Sequence, residues 1–276
     1  MTQPQFSFEF FPPKSAEAKQ TLQQTRQQLQ QLKPAYVSVT FGAGGSTQHG
    51  TIETVSEMLA AGLDTAPHLS CIGASRDDIA KLLQRYVEMG VTRIVALRGD
   101  MPSGMRDTGE LNHANELVEF IRQRHGQHFT IEVAAYPEFH PQAVSAEADL
   151  DYFAQKVAAG ADSAITQYFY NVDAYRHFLD SCHQRGITVP IYPGIMPVTN
   201  IKQLARFSAI CGAEIPRWLR LKLESYGDDL SSLRQFGLDF TLQLCQQLLE
   251  LGAPGLHFYT MNQVGPTEYI HRHLQS

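Results

Sequence analysis

Cysteine is scarce in this 276-residue chain. The four present, Cys71, Cys182, Cys211 and Cys245, form no C-x-x-C pair and sit in apolar or helical contexts. That argues against a disulfide framework or a thiolate zinc site and for buried, reduced thiols. Charge of one sign is also in short supply. The formal net charge is −6, and Lys and Arg are scattered without a basic block. No nucleic-acid partner is therefore expected. No apolar run approaches bilayer-spanning length, so no membrane partner is expected either. The N-terminus has neither the basic nor the apolar region of a secretory signal. These absences predict a soluble, cytoplasmic protein. Familiar motifs are missing too: there is no G-x-G-x-x-G, no Walker A lysine, no G-x-S-x-G elbow, and no His/Asp/Glu cluster with metal-ligand spacing, so no metal is expected. His125, His128, His271 and His273 read as surface histidines.

What is present is an ordinary globular composition, 43% hydrophobic and 18% charged, in which short β-rich runs alternate with helical runs. The strand candidates span 6–11, 36–41, 65–71, 93–99, 130–137, 163–170, 190–195 and 255–262. Helices between them start at Ser15, Ser75 and Ser145, each a serine N-cap, and Gly90, Gly160 and Gly186 serve as stops. Eight strands alternating with helices predict an α/β fold, a (β/α)8 TIM barrel formed by residues 1–276 as a single domain. A doubly wound open sheet is the competing reading. Segment 213–254 reads as extra helices before the last strand.

Ligands of such barrels bind at the C-terminal strand ends. The sequence delivers polar groups there from seven strands: Glu9; Thr40; His68 and Ser70; Arg98, Gly99 and Asp100; Tyr136, followed by Glu138 and His140; Gln167; Tyr259 and Asn262. Polar groups embedded in apolar strands are costly unless satisfied or used. Together they describe a large polar site with few charges. FGAGGS (41–46) offers backbone N–H groups to a phosphate, though a tight turn explains it equally well.

The blocks FSFEFFPPK, YVSVTFGAGG, APHLSC, IVALRGD, VAAYPEFHP, DLDYFAQKVAAGAD with AITQYF, PGIMPVTN and HFYTMN occur in this order along nearly the whole chain. In them the chain resembles the methylenetetrahydrofolate reductases in their barrel-only form. The resemblance implies an FAD-dependent barrel oxidoreductase that reduces 5,10-methylenetetrahydrofolate to 5-methyltetrahydrofolate with NADH or NADPH. The nicotinamide and the folate would take turns at one flavin face, in ping-pong order. It also implies homo-oligomers and a place in one-carbon metabolism and methionine biosynthesis.

Position by position, Glu9 matches the family's general acid, which protonates the folate N10. Asp100 matches an acid that tunes the flavin and helps hold the pterin, and Gln167 an amide bonded to the pterin. Thr40, His68, Arg98, Gly99, Asp100, Tyr136, His140, Asp149 and Lys156 match FAD contacts. Tyr259 matches an aromatic of the substrate region. Ile201 departs from relatives that carry an aromatic after the Asn of P-V-x-N. The barrel-only form implies no regulation by S-adenosylmethionine.

A general acid working near neutral pH needs a raised pKa, and aromatic neighbours are expected to raise that of Glu9. The bland alternatives are a structural ion pair of Glu9 with Lys14, a core His68, a solvated Lys156, and barrel-packing roles for Tyr136 and Tyr259. Two other functions compete: a TIM-barrel lyase or isomerase acting on a phosphorylated substrate, and a non-catalytic flavin or folate carrier. No lysine lies inside a strand candidate, which counts against a Schiff-base aldolase.

Overall fold

The computed structural model describes residues 3–41, 48–100 and 108–275. Among them, β1 (Gln5–Phe10), β2 (Tyr36–Val39), β3 (Thr65–Ser70), β4 (Arg93–Leu97), β5 (Thr130–Ala135), β6 (Ser163–Thr166), β7 (Ile191–Tyr192), β8 (Gly194–Ile195) and β9 (Gly255–Tyr259) form one parallel sheet. Its order is β7-β6-β5-β4-β3-β2-β1-β9-β8, so first and last strands lie side by side and the sheet curls into a barrel. This is the expected (β/α)8 architecture, with one refinement. The seventh stave breaks at Pro193, because a proline has no N–H for the ladder. Its first half, β7, pairs with β6, and its second half, β8, pairs with β9. The Pro193 carbonyl accepts the His257 N–H at 2.9 Å, so the break itself helps close the ring.

Alternation along β1 separates two environments. Phe6, Phe8 and Phe10 point outward into the helix layer and are 7%, 0% and 1% exposed. Phe8 packs edge-on against Phe258. His271, expected at the surface, belongs to this layer. Its ring packs edge-on against Phe6, with centroids 4.8 Å apart, and burial followed by the nearby Arg272 charge lowers its pKa. Ser7 and Glu9 point inward. The interior is plugged by Tyr36, Ala66, Val95 and Ile165, with Leu97 and Tyr259 packed against them. A ligand therefore reaches the mouth but does not pass through.

The serine caps form as expected. Ser15 accepts from Ala18 N at the start of α1 (Ala16–Gln30), Ser75 from Asp78 N at α3 (Arg76–Glu88), and Ser145 from Ala148 N at α5 (Ala146–Ala158). Each satisfies an N–H that the first helical turn leaves free. The intervening connections carry α2 (Gln48–Ala60), α4 (Ala114–His125) and α6 (Val172–Gln184). Between β8 and β9 run α7 (Ile201–Cys211), α8 (Arg217–Glu224) and α9 (Leu230–Glu250), of which α8 and α9 are the extra helices expected over 213–254. Gly237 lets α9 seat directly on the chain after β8, since a Cβ there would lie 2.0 Å from the Val198 carbonyl oxygen. Cys71, Cys182 and Cys245 are buried free thiols, and Cys211 is half-buried.

Candidate active site

At the barrel mouth, Glu9 Oε2 lies 3.3 Å from His68 Nε2 and 3.6 Å from His257 Nε2. Register explains the meeting. Glu9 pairs with Ser38 on one side and Tyr259 on the other, and His257 sits one inward position below Tyr259 on β9. His257 is fixed from beneath, with its Nδ1 2.7 Å from Ser7 Oγ. Its ring stacks on Tyr36 at 6.2 Å and meets Tyr259 edge-on at 5.5 Å. Both Nε2 atoms are buried, and each faces Glu9 Oε2 at ion-pair distance.

This setting reverses the expected direction of the Glu9 pKa. Burial pushes the carboxyl up, but hydrogen bonding to His257 and His68, with the charge of both, outweighs it and brings the pKa down to about 2. The phenylalanines do not act on the carboxyl because they occupy the opposite face of β1. Nor does Lys14 pair with Glu9. Two imidazoles do.

Beside the mouth a cleft of about 340 Å³ opens between the ends of β4 and β5 and the helix α5. Arg98, Gly99, Asp100, Tyr136, His140, Asp149 and Lys156 all line it. Lys156 reaches in from α5, and its Nζ donates to the Ala134 carbonyl. Burial, only partly offset by the Asp149 charge, lowers this ammonium's pKa to about 8. Asp149 accepts the His140 N–H at 3.1 Å, and burial raises its pKa. Arg98 donates to Gln142 Oε1 and to the Gly99 carbonyl. Tyr136 and His140 meet ring-edge to ring-face at 4.7 Å. Gly99 has φ +84°, and a Cβ there would lie 1.8 Å from Ser70 Oγ, which itself donates to the Arg98 carbonyl at 2.8 Å. Only glycine fits this turn.

The remaining expected residues lie at other strand ends, outside the lining of this cleft. Gln167 follows β6 in a small recess with Tyr136, Glu138 and Tyr168, and its Oε1 accepts the Tyr168 N–H. Glu138 instead accepts the Glu214 N–H. Thr40 follows β2, and its carbonyl is bonded by the Thr51 hydroxyl. Most of the Gly-rich stretch beyond it, 42–47, lies outside the described residues, as do 101–107 after Asp100. Tyr259 donates its hydroxyl to the Thr166 carbonyl at 2.8 Å. Burial and then the Glu9 charge push its pKa far up. Asn262 is structural. Its side chain accepts from Phe11 N and donates to Phe11 O, clipping the end of β1 to the chain after β9.

Sequence reasoning missed three residues. His257 and Glu132 are polar residues at inward positions of apolar strands, the same signal that singled out Glu9. Phe207 reads in the sequence as an apolar position of an amphipathic helix, α7. Ile201 is the first residue of α7, whereas Phe207, from the middle of that helix, lines a pocket with Gln203, Met196 and Tyr259.

A parallel barrel with an acid–imidazole cluster in its mouth and a cation-bearing cleft beside it defines a (β/α)8-barrel enzyme. Comparison with known proteins gives the family. The family described as methylenetetrahydrofolate reductase matches residues 1–275. The 5,10-methylenetetrahydrofolate reductase of Salmonella typhimurium is 41% identical over 261 residues, covering 93% of this chain and 86% of that protein. The Pectobacterium carotovorum protein of that name is 40% identical over 262 residues, covering 93% and 85%. Methylenetetrahydrofolate reductase (NADH) 1 of Arabidopsis thaliana is 37% identical over 271 residues, with 93% of this chain matched to 46% of that longer protein. This chain belongs to the methylenetetrahydrofolate reductase family and is an oxidoreductase. A Clostridium thermocellum protein described as binding two copies of 5-methyl-5,6,7,8-tetrahydrofolic acid shares the fold, with TM-score 0.68 at 19% identity over 98% of this chain and 93% of that one.

Proposed function

We propose that the protein reduces 5,10-methylenetetrahydrofolate to 5-methyltetrahydrofolate with electrons from NADH carried through bound FAD, in ping-pong order. Family membership supports the folate reduction. The observation that carries the cofactor is the convergence of seven residues, scattered from Arg98 to Lys156, on one cleft beside Glu9. The donor set suits FAD. Lys156 and Arg98 bring cationic N–H donors to a dinucleotide pyrophosphate, and burial strengthens such contacts. The tight Gly99 turn holds the backbone close to the cleft floor. FAD would supply an acceptor that takes hydride from the nicotinamide and passes it to the folate.

The protein's own residues do the rest. His68, beside Glu9, and Thr40, after β2, would border FAD from the mouth side. Asp100, in the cleft lining, would set the charge near the flavin ring and help hold the pterin. Gln167 spends its carbonyl on Tyr168 N, which leaves its amide N–H pair to donate to the pterin. Tyr259 and Phe207 offer faces to planar rings. Glu9 delivers a proton to the folate N10, opening the imidazolidine ring to an iminium that accepts hydride.

The purified protein is expected to be yellow, to bleach with NADH, and to regain its colour with methylenetetrahydrofolate. A colourless protein that takes up no FAD overturns the reading. A protein that bleaches but is never reoxidised by the folate is a carrier instead.

A further inference from the structure

From the outer surface of the inserted helices we propose that α8 is the centre of a two-fold interface, where a second copy of this chain docks antiparallel, helix against helix. α8 has only eight residues, Arg217–Glu224, yet it carries apolar side chains on both faces. Leu219 and Leu223 are buried against the rest of the chain. Trp218 and Leu221 stand three residues apart, which makes them neighbours on the helix surface, and they are 56% and 48% exposed. A helix that is apolar all round is ordinarily covered all round. A lone exposed leucine needs no explanation. A tryptophan and a leucine side by side do, and Leu230 is exposed as well where α9 begins.

The charges on this face say what covers it. Arg217 and Arg220 stand in the first half of α8, and Glu224 and Asp228 stand at its end and just beyond. All four are exposed, and none makes a side-chain hydrogen bond or ion pair among the described residues. Within one chain this order is unfavourable, because cations are disfavoured at a helix N-terminus and anions at its C-terminus. Basic at one end and acidic at the other, the face complements itself when turned end for end. A two-fold axis makes that turn. With the axis beside Leu221, Arg217 meets the partner's Glu224, and the same contact recurs on the other side of the axis. α8 and α9 form a hairpin: Lys222 lies 5.6 Å from the Phe236 ring and Trp218 lies 5.5 Å from that of Phe240, so the two helices run antiparallel. The hairpin tip carries Asp228 and Leu230. An antiparallel partner brings its tip to the Pro216 end of α8, where Trp218, Tyr170 and Phe240 border an open groove of about 740 Å³. The groove matters because a helix about 12 Å long falls short of the roughly 800 Å² that each partner of a stable pair buries. An anionic lipid surface would suit the arginines and Trp218 but would repel Glu224 and Asp228.

Trp218 is the chain's only tryptophan, so its fluorescence reports on this face directly. In analytical ultracentrifugation the purified protein is expected to associate in pairs, with Trp218 emission moving to shorter wavelength as concentration rises. Leu221→Asp should remove that contact and that shift. Arg217→Glu and Glu224→Arg each set like charges against each other at both equivalent contacts, and each should weaken association about a hundredfold or more. Mixing the two singly reversed chains in equal amounts restores opposite charges at both contacts. The mixture should therefore associate as wild type does, although neither chain does so alone. Circular dichroism should stay unchanged in every variant, because the altered side chains are exposed. A wild type that remains monomeric overturns the inference, as does association that Leu221→Asp leaves unchanged. A mixture that fails to recover association overturns it too. A monomer whose Trp218 emission shifts only with anionic phospholipid vesicles assigns the face to a membrane surface and likewise overturns it.

Discussion

Two carboxylates are embedded in apolar strands of this barrel, and their partners differ in kind. Glu9 stands at the mouth, is 17% exposed at its side chain, and faces two imidazoles. Glu132 lies inside on β5, is completely enclosed, and is held by Ser163 Oγ at 3.1 Å and Arg93 Nη1 at 3.5 Å. Arg93 in turn covers the Tyr36 ring and approaches Asp64 at 3.7 Å. The strand pattern of the two acids is alike: a charge at an inward position between apolar neighbours. The difference lies in what the neighbouring strands deliver. A guanidinium is always charged and locks its partner as an ion pair. An imidazole gains and loses a proton near neutral pH and so leaves its partner available for chemistry.

The largest effect that would break this contrast is expected at Glu9. Glu9→Gln should slow folate-dependent reoxidation by about 10²- to 10⁴-fold, the usual worth of a general acid, with FAD content and bleaching by NADH retained. Equal loss of both half-reactions would remove Glu9 from the acid role. Glu132→Ala should do the reverse. It strands Arg93 and leaves a void, lowering stability by about 3 kcal/mol in denaturant unfolding, while both half-reactions per folded molecule persist. A stable Glu132→Ala protein with a slowed folate step would merge the two carboxylates into one functional unit.

Smaller effects sharpen the cleft side of the comparison. Gly99→Ala places a methyl group against Ser70 at a left-handed backbone position. A cost of about 2 kcal/mol in thermal or denaturant unfolding is expected, together with weaker FAD retention on gel filtration. Lys156→Met should weaken FAD binding about tenfold, as for loss of one charge-assisted bond. The wild-type affinity carries a pH signature, because the attracting form of Lys156 is the ammonium and its pKa is lowered to about 8. Binding should therefore weaken as pH rises through about 8, and Lys156→Met should flatten that dependence in a fluorescence titration. Acid stability gives the last test. The Glu9 pKa falls from 4.5 to about 2 on folding, so its contribution is complete above about pH 4.5 and fades toward pH 2. Glu9→Gln should remove that part of the acid-unfolding profile.

Much of this was legible along the chain. Serine caps, glycine stops and strand alternation act over a few residues, and they located the staves, the helices and the inserted α8 and α9. Arg98, Gly99, Asp100, Tyr136 and His140 of the cleft were legible because barrel topology sends every strand end to one rim, whereas Asp149 and Lys156, on α5, were named only by the family resemblance. What the chain did not reveal were consequences of neighbours across the barrel. Nothing near Glu9 in sequence announces His68 or His257, so the local phenylalanines suggested the wrong direction for its pKa. Pro193 was visible as a residue, but its splitting of a stave depends on β6 and β9 each taking one half. His271 ends a helix amid polar residues, and only the packing of α10 (Gly265–Leu274) on Phe6 and Phe8 buries it.

The clip between Asn262 and Phe11 sits where β1 meets β9, the first strand against the last. A ribosome makes Glu9 long before His257, so the carboxylate waits through most of the barrel's synthesis for the imidazole beside it. Closing the ring and pairing these two side chains are then one event. A nascent chain that has not yet reached β9 leaves β1 as an open sheet edge and its mouth carboxylate without that partner.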